Sequence, residues 1–188
     1  SSRYAHPMTD PVHDGGEAYE ELGALYDVWC AEVAEDIPFY TSLATALAAE
    51  LDRASLDIIE LGAGSGRITA PLAAAGHRVT ALDASPAQLA RLRERVAELS
   101  PDADVQAMLG DMRELATLLP AASADLVLVP FRGMLHVTPQ RAAVLAGVHH
   151  ALRTGGVLAF DVFHPSGEQV AATHGQWLHR RDAPTSTG

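Results

Sequence analysis

Glu60-Leu61-Gly62-Ala63-Gly64-Ser65-Gly66-Arg67, entered from the apolar run Leu56-Asp57-Ile58-Ile59, decides how this chain folds. The run predicts a buried strand, and the alternate glycines predict a sharp loop that hands it to a helix. Glycine tolerates backbone conformations closed to other residues and lets a ligand come close to the main chain. A helix opening at Gly66 would aim free N–H groups and the positive end of its dipole at the same place. About twenty residues further on, Arg78-Val79-Thr80-Ala81-Leu82-Asp83 reads as a second apolar strand ending in a carboxylate. In a nucleotide-binding α/β unit such a carboxylate accepts from ribose hydroxyls. The two segments together predict a nucleoside site.

Working outward, the chain alternates strand and helix patterns on both sides of that loop. Residues 1–16 mix proline, histidine, glycine and acid without periodicity and predict a mobile arm. Ala18, Leu22, Leu25, Tyr26 and Trp29 recur at helical spacing, and a second helix is expected from about Pro38 through Leu43, Leu47 and Leu51. Residues 17–55 are therefore read as N-terminal lid helices. The strands that follow are expected at Asp57–Leu61, Arg78–Asp83, Val105–Leu109, Asp125–Val129 and Val157–Phe163. Ser85-Pro86 and Thr138-Pro139 each offer a cap followed by a first-turn proline, the second opening a helix to Leu152 that Gly155-Gly156 closes. Five strands joined by helices predict an α/β, Rossmann-like, doubly wound and mostly parallel sheet in the order 3-2-1-4-5. The core spans residues 56–165, and residues 166–188 form an irregular tail. Ligands in such sheets bind beyond the carboxyl ends of the strands, where the order reverses between the first and the fourth.

Composition narrows the function. The chain has 188 residues, enough for one domain, with 13 arginines, no lysine and 24 acidic residues, for a net charge of −11. So acidic a surface repels phosphate backbones, which argues against a nucleic-acid partner. No apolar run is long enough to cross a bilayer and no signal-peptide pattern is visible, so a cytoplasmic protein without a membrane partner is expected. The single cysteine, Cys30, excludes an internal disulfide and is read as a core residue. The histidines form no cluster with metal-ligand spacing, and no metal is expected.

The spacing of the glycines separates two cofactors. A dinucleotide fingerprint would place its last glycine where Arg67 stands. The compressed Gly62-x-Gly64-x-Gly66, preceded by Glu60, instead resembles the first motif of the class I S-adenosylmethionine-dependent methyltransferases of the small-molecule type, and the resemblance extends over roughly Asp57 to Pro165. It implies that Gly62, Ala63, Gly64 and Gly66 line the cofactor, with Glu60 near the methionine ammonium and Asp83 on the ribose. Gly110-Asp111-Met112 is similar to the family's adenine-edge motif: the Asp111 carboxylate would accept from the adenine amino group, and Met112 and Ala84 would sandwich the base. Phe131 and Arg132, in the segment after the fourth strand, would touch the cofactor. His136 stands where many small-molecule N- and O-methyltransferases carry a histidine, which implies a general base or an acceptor-orienting group. The triplet Leu25-Tyr26-Asp27 is similar to a lid helix whose tyrosine closes over the cofactor, with Tyr40 a weaker candidate. The implied activity moves a methyl group from S-adenosyl-L-methionine to a nitrogen or oxygen of a small-molecule acceptor, leaving S-adenosyl-L-homocysteine, in a setting such as specialised metabolism.

The chain departs from the family after His164, where nothing supplies the two further strands that normally complete the sheet. Either the sequence is a piece of a longer enzyme, or a partner such as a second copy covers the exposed edge of the fifth strand. Two alternatives stay open at this point: a truncated or non-catalytic module that holds the nucleoside, and a nicotinamide-dependent oxidoreductase.

Overall fold

The structure is a computed structural model that describes residues 34–99, 101–162 and 164–174. The lid triplet with Tyr26, Cys30 and the last fourteen residues lie outside the described residues. Helix α1 (Ile37–Glu50) begins with Pro38 in its first turn and buries Tyr40, Ala44, Leu47 and Ala48, one stripe at helical spacing. Then come β1 (Asp57–Leu61), α2 (Thr69–Ala74), β2 (Arg78–Asp83), α3 (Pro86–Leu99), β3 (Val105–Leu109), a single 3-10 turn and α4 (Leu115–Leu118), β4 (Ala124–Val129), two more 3-10 turns, α5 (Arg141–Ala151), β5 (Leu152–Phe160) and α6 (Gly167–Thr173). The strands form one sheet in the order β3-β2-β1-β4-β5. All four pairings are parallel.

Burial follows position in the sheet. Every residue of β4 is buried and β1 is buried from Ile58 onward, as expected for central parallel strands covered on both faces. Successive residues go to opposite layers: Ile58 packs with Tyr40, Leu47 and Leu72, whereas Ile59 packs with Leu115, Val144 and Val148. The edge strands β3 and β5 are only partly covered.

Three expectations about boundaries are corrected. The helix after the glycine loop starts at Thr69 rather than Gly66, because Gly66 has φ +81°, which no α-helical residue adopts. Its carbonyl still accepts the first helical bond, from the Ala70 N–H at 3.0 Å. Thr138 does not cap α5: its hydroxyl donates to the Leu135 carbonyl at 2.8 Å, and the α-helix opens only at Arg141, after a 3-10 turn over Thr138–Gln140. Gly155-Gly156 does not close that helix either. The chain goes extended at Leu152, and the two glycines lie inside an irregular stretch between the pairings Ala124↔Leu152 and Leu126↔Val157. A side chain at Gly156 would bring its Cβ to 3.0 Å from the Arg153 carbonyl oxygen. Starting early, β5 ends at Phe160, so Asp161 emerges just past the carboxyl end of the sheet.

Candidate functional site

The carboxyl ends of β1, β2 and β4 and the loops leaving them bring most of the anticipated residues together. The glycine loop is pinned to β2 by its own amides. Gly62 and Ala63 both donate to the Leu82 carbonyl, at 2.9 and 3.0 Å, and the Gly64 N–H donates to Asp83 Oδ2 at 2.7 Å. The other oxygen of Asp83 accepts from the Ser85 N–H at 2.9 Å. One carboxylate thus ties the loop to the start of α3. Burial pushes its pKa up, while the amides from Ser85, Gly64 and Ala84 pull it down. Ala84 itself is exposed. Gly64 has φ +55° and a Cβ there would meet nothing within 4 Å, so the loop faces open space at this point. Gly66 serves packing instead: a Cβ there would lie 2.8 Å from Leu92 of α3.

Glu60, the last but one residue of β1, is 2% exposed. Thr69, at the first position of α2 and itself fully buried, donates its hydroxyl to Glu60 Oε2 at 2.5 Å. Burial pushes the carboxyl up to about 7, against the Thr69 hydrogen bond and the Arg67 charge, which favour ionisation; Asp83 and Asp36 add to the rise. The sequence reading missed Thr69. Its position nine residues after Glu60 carries no recognisable pattern without the turn that folds α2 back over β1.

At the adenine end, Asp111 precedes the 3-10 turn Met112–Glu114 and is bound by a residue two positions on. Arg113 donates to it through its backbone N–H at 2.8 Å, its Nε at 2.6 Å and its Nη2. The Arg113 guanidinium holds the carboxyl below its usual range and so keeps it an acceptor. Met112 reaches the glycine loop: a Cβ at Gly62 would stand 3.5 Å from the Met112 terminal methyl.

Beyond β4 the backbone passes through two consecutive left-handed residues, Phe131 at φ 52° and Arg132 at φ 62°. Such a conformation is disfavoured for residues with a Cβ and persists only where surrounding contacts impose it. Those contacts form a circuit that links the start of α1, the glycine loop, the segment after β4 and the end of β5. Arg67, from the glycine loop, is bidentate to Asp36 at 2.5 and 2.7 Å, and its guanidinium lies over the Phe131 ring, 5.2 Å from the centroid. The Arg132 N–H donates to Asp161 Oδ2 at 2.8 Å. Asp161 Oδ1 accepts from the buried Tyr40 hydroxyl at 3.0 Å, which returns the circuit to α1. Burial and the charges of Asp161, Asp36 and Glu60 raise the Tyr40 pKa, so its hydroxyl remains a donor. His136 lies on the exposed side of the 3-10 turn Gly133–Leu135, beyond this circuit. Glu60, Gly62, Ala63, Gly64, Gly66, Asp83, Ala84, Asp111, Met112, Phe131 and Arg132 thus lie at the carboxyl ends of β1 to β4 and in the four segments that leave them. No cluster of metal-ligating side chains occurs among the described residues. No helix among them is long and apolar enough to cross a membrane.

A parallel sheet in this order, with a glycine loop after β1 and a carboxylate at the tip of β2, is the Rossmann-like arrangement in which ligands bind at the carboxyl ends of the strands. The chain belongs to the methyltransferase domain family, whose model matches residues 58–156, and within it to the class I enzymes that use S-adenosylmethionine. An uncharacterized methyltransferase of Synechocystis is 35% identical over 112 residues, which are 58% of this chain and 48% of the relative; the chain thus spans about half the length of that protein. The methyltransferase CcbJ of Streptomyces caelestis superposes with a TM-score of 0.63 at 26% identity, over 74% of this chain and 54% of that one. DhpI, solved in complex with S-adenosylhomocysteine, gives 0.54 at 26% identity, over 79% of this chain and 67% of that one. The glycopeptide N-methyltransferase MtfA, complexed with sinefungin, gives 0.53 at 30% identity, over 64% and 52% of the two chains.

Proposed function

We propose that this protein transfers the methyl group of S-adenosylmethionine to a nitrogen or oxygen of a small molecule. The observation that carries this reading is the junction itself: a glycine loop pinned on Asp83 lies beside Glu60, a buried carboxylate that has no cationic hydrogen-bond partner among the described residues. The residues present fit the cofactor. Its methionine end carries an ammonium and a sulfonium, and a buried acid whose ionisation is opposed by burial, by Asp83 and by Asp36 is a place where a cation would be welcome. The Phe131 ring already holds a cation, the Arg67 guanidinium, across its face.

In this reading Glu60 and the loop carbonyls meet the ammonium. Asp83 takes the ribose hydroxyls while its amide bonds hold the loop to the strand. Asp111, kept ionised by Arg113, accepts from the adenine amino group, and Met112 and Ala84 flank the base. Phe131 and Arg132 face the methionine end, and Tyr26 remains a proposed lid contact. The bound cofactor supplies an electrophilic methyl on a sulfonium, whose sulfur leaves with the bonding pair as the acceptor's lone pair attacks carbon. For such an in-line displacement, alignment alone is worth on the order of 7 kcal/mol in favourable cases. A neutral amine needs no strong base, whereas a hydroxyl acceptor must give up a proton, which His136 would take. The N-methyltransferase among the structural neighbours supports testing nitrogen acceptors first.

Calorimetric titration with S-adenosylmethionine and S-adenosylhomocysteine tests the binding half. Heat with both, and none with NADH, is the expected result; silence with both overturns the reading. Transfer of labelled methyl to members of an amine and phenol library tests the catalytic half.

A further inference from the structure

We infer that Thr69 is a positioning residue that fixes the orientation and the charge of Glu60, and that cofactor affinity consequently depends on pH near neutrality. The inference rests on the proposed contact between Glu60 and the methionine ammonium. Thr69 is fully buried and Glu60 is 2% exposed, so neither is free to choose a solvent partner. A threonine at this place in a helix could turn its hydroxyl back to the preceding turn. Here it is aimed at Glu60 Oε2, 2.5 Å away.

The groups facing Glu60 come from every side. Arg67 from the glycine loop favours the ionised acid, Asp83 from β2 and Asp36 at the start of α1 oppose it, and the Tyr40 hydroxyl lies in the same field. Burial is the largest influence and disfavours charge. Arg67 is engaged with Asp36 in a bidentate pair, and among the described residues Thr69 is the hydrogen-bond donor that meets the Glu60 carboxylate directly. With the carboxyl pushed to about 7, a modest change in this one bond moves its charge across the physiological range. A bound ammonium favours the ionised acid. Affinity should therefore rise as pH increases through the Glu60 transition, with a proton released to solvent by the fraction of molecules still protonated.

The test measures affinity for S-adenosylhomocysteine and for 5′-methylthioadenosine, which lacks the amino-acid end, between about pH 5.5 and 7.5. Over this range the ligand's own ammonium stays mostly protonated. For the unaltered chain, S-adenosylhomocysteine should bind up to tenfold more tightly at the top of the range, and 5′-methylthioadenosine should show no trend. Thr69→Val removes the donor at nearly constant volume, so the transition should move up by roughly one pH unit. Thr69→Ser should restore it. Glu60→Gln should flatten the pH profile and weaken S-adenosylhomocysteine selectively.

The outcomes are separable. If Thr69→Val lowers affinity equally at every pH, Thr69 is merely structural and the inference fails while the placement of the cofactor stands. If Glu60→Gln leaves the profile sloped, or weakens both ligands alike, Glu60 does not meet the ammonium and the placement fails with it. If Thr69→Val is too unstable to measure, Thr69→Ser still decides. A serine variant whose transition departs from that of the unaltered chain as far as one lacking a donor would overturn the inference.

Discussion

The two ends of the sheet treat the carboxylates carried on the strands themselves in opposite ways. At the amino end, Asp57 and Asp125 are gripped by guanidinium groups. Arg78 reaches Asp57 at 2.6 Å, Arg153 bridges Asp57 and Asp125 at 2.8 and 2.9 Å, and Arg53 reaches Asp125 at 3.0 Å. Arg78 and Arg153 hold the Asp57 carboxyl below its ordinary range. At the carboxyl end, Asp83 and Glu60 are held by backbone amides and a hydroxyl, and burial pushes both upward. The amino end has satisfied its charges within the protein and so lends stability. At the carboxyl end the loop acids Asp36 and Asp111 are likewise paired, with Arg67 and Arg113, but ionising the strand acids Glu60 and Asp83 is opposed by burial, a cost to stability that a bound cation beside Glu60 would relieve. Fold alone would not tell these ends apart, since both are rims of the same parallel sheet.

The largest effect should come from breaking the closed network. Asp125 is 2% exposed, accepts from the Asp57 N–H at 2.9 Å and from Arg53 at 3.0 Å, and forms an ion pair with Arg153 at 2.9 Å. Asp125→Ala would leave the Asp57 N–H without its acceptor and take a buried ion partner from Arg53 and Arg153, a loss of about 3 kcal/mol by analogy with other broken buried pairs. Denaturant unfolding should show this loss, while the fraction that remains folded binds S-adenosylhomocysteine with unchanged affinity. A large drop in affinity without a drop in stability would reverse the roles assigned to the two ends.

At the other rim the sign changes. Because burial raises the folded pKa of Glu60 to about 7, above the ordinary 4.5 of a glutamate, ionising this carboxyl opposes folding. The penalty is absent below the unfolded value, grows as pH rises between the two, and is complete above the folded one. Glu60→Gln removes it and keeps an acceptor for Thr69. At pH 8 the variant should be more stable than the parent by about 2 kcal/mol, a gain that fades toward pH 4.5. Thermal unfolding across that range checks it. A variant less stable than the parent at pH 8 would mean that the ionised acid is better satisfied than its surroundings imply.

The same contrast explains what could be read from the sequence. Apolar runs with a fixed period announced β1, β2, β3 and β4 to within a residue, because burial on both faces of a parallel sheet leaves little choice of composition. The glycines and Asp83 were legible because a tight loop demands special backbone and a strand end is a fixed address. The circuit from Asp36 through Arg67, Phe131, Arg132 and Asp161 to Tyr40 was not legible. Bonded members are up to 121 residues apart, and although Tyr40, Phe131 and Arg132 stood out singly, nothing in the sequence joined them to Asp36, Arg67 and Asp161. Asp161 was further hidden by the glycine pair, which read as a helix stop and displaced β5 toward the C-terminus, burying Asp161 on paper in mid-strand. Arg113 was missed beside Asp111 because the segment after β3 has no regular period, and in the helix expected there residues two apart do not face each other.

A smaller change concerns Asp83, which serves both the loop and the proposed ribose. Asp83→Ala should weaken S-adenosylhomocysteine by roughly 1–3 kcal/mol, about tenfold to a hundredfold, as buried hydroxyls and two loop amides lose their acceptor. The effect on stability should be much smaller than for Asp125→Ala, because removing a carboxylate whose charge is opposed by burial offsets part of the lost bonding. Calorimetry and thermal unfolding on the same preparation separate the two, and unchanged affinity would place the ribose elsewhere.

The weakest expected effect sharpens the boundary of the argument. Arg78 belongs to the amino-end network, yet its side chain is 48% exposed and its partner Asp57 keeps Arg153 at 2.8 Å when Arg78 is gone. An exposed pair with a remaining neighbour contributes less than about 1 kcal/mol and is screened by salt. Arg78→Gln should therefore lower the unfolding free energy only slightly in dilute buffer and by almost nothing in about 1 M salt, where the Debye length falls to roughly 3 Å. Because Asp57 has its pKa lowered in the folded state, the small loss should appear above the unfolded carboxylate range and vanish as pH falls through the folded value. A loss as large as that of Asp125→Ala, or one that salt leaves untouched, would show that burial does not grade the strength of this network, and the division between a self-satisfied rim and a waiting one would need another basis.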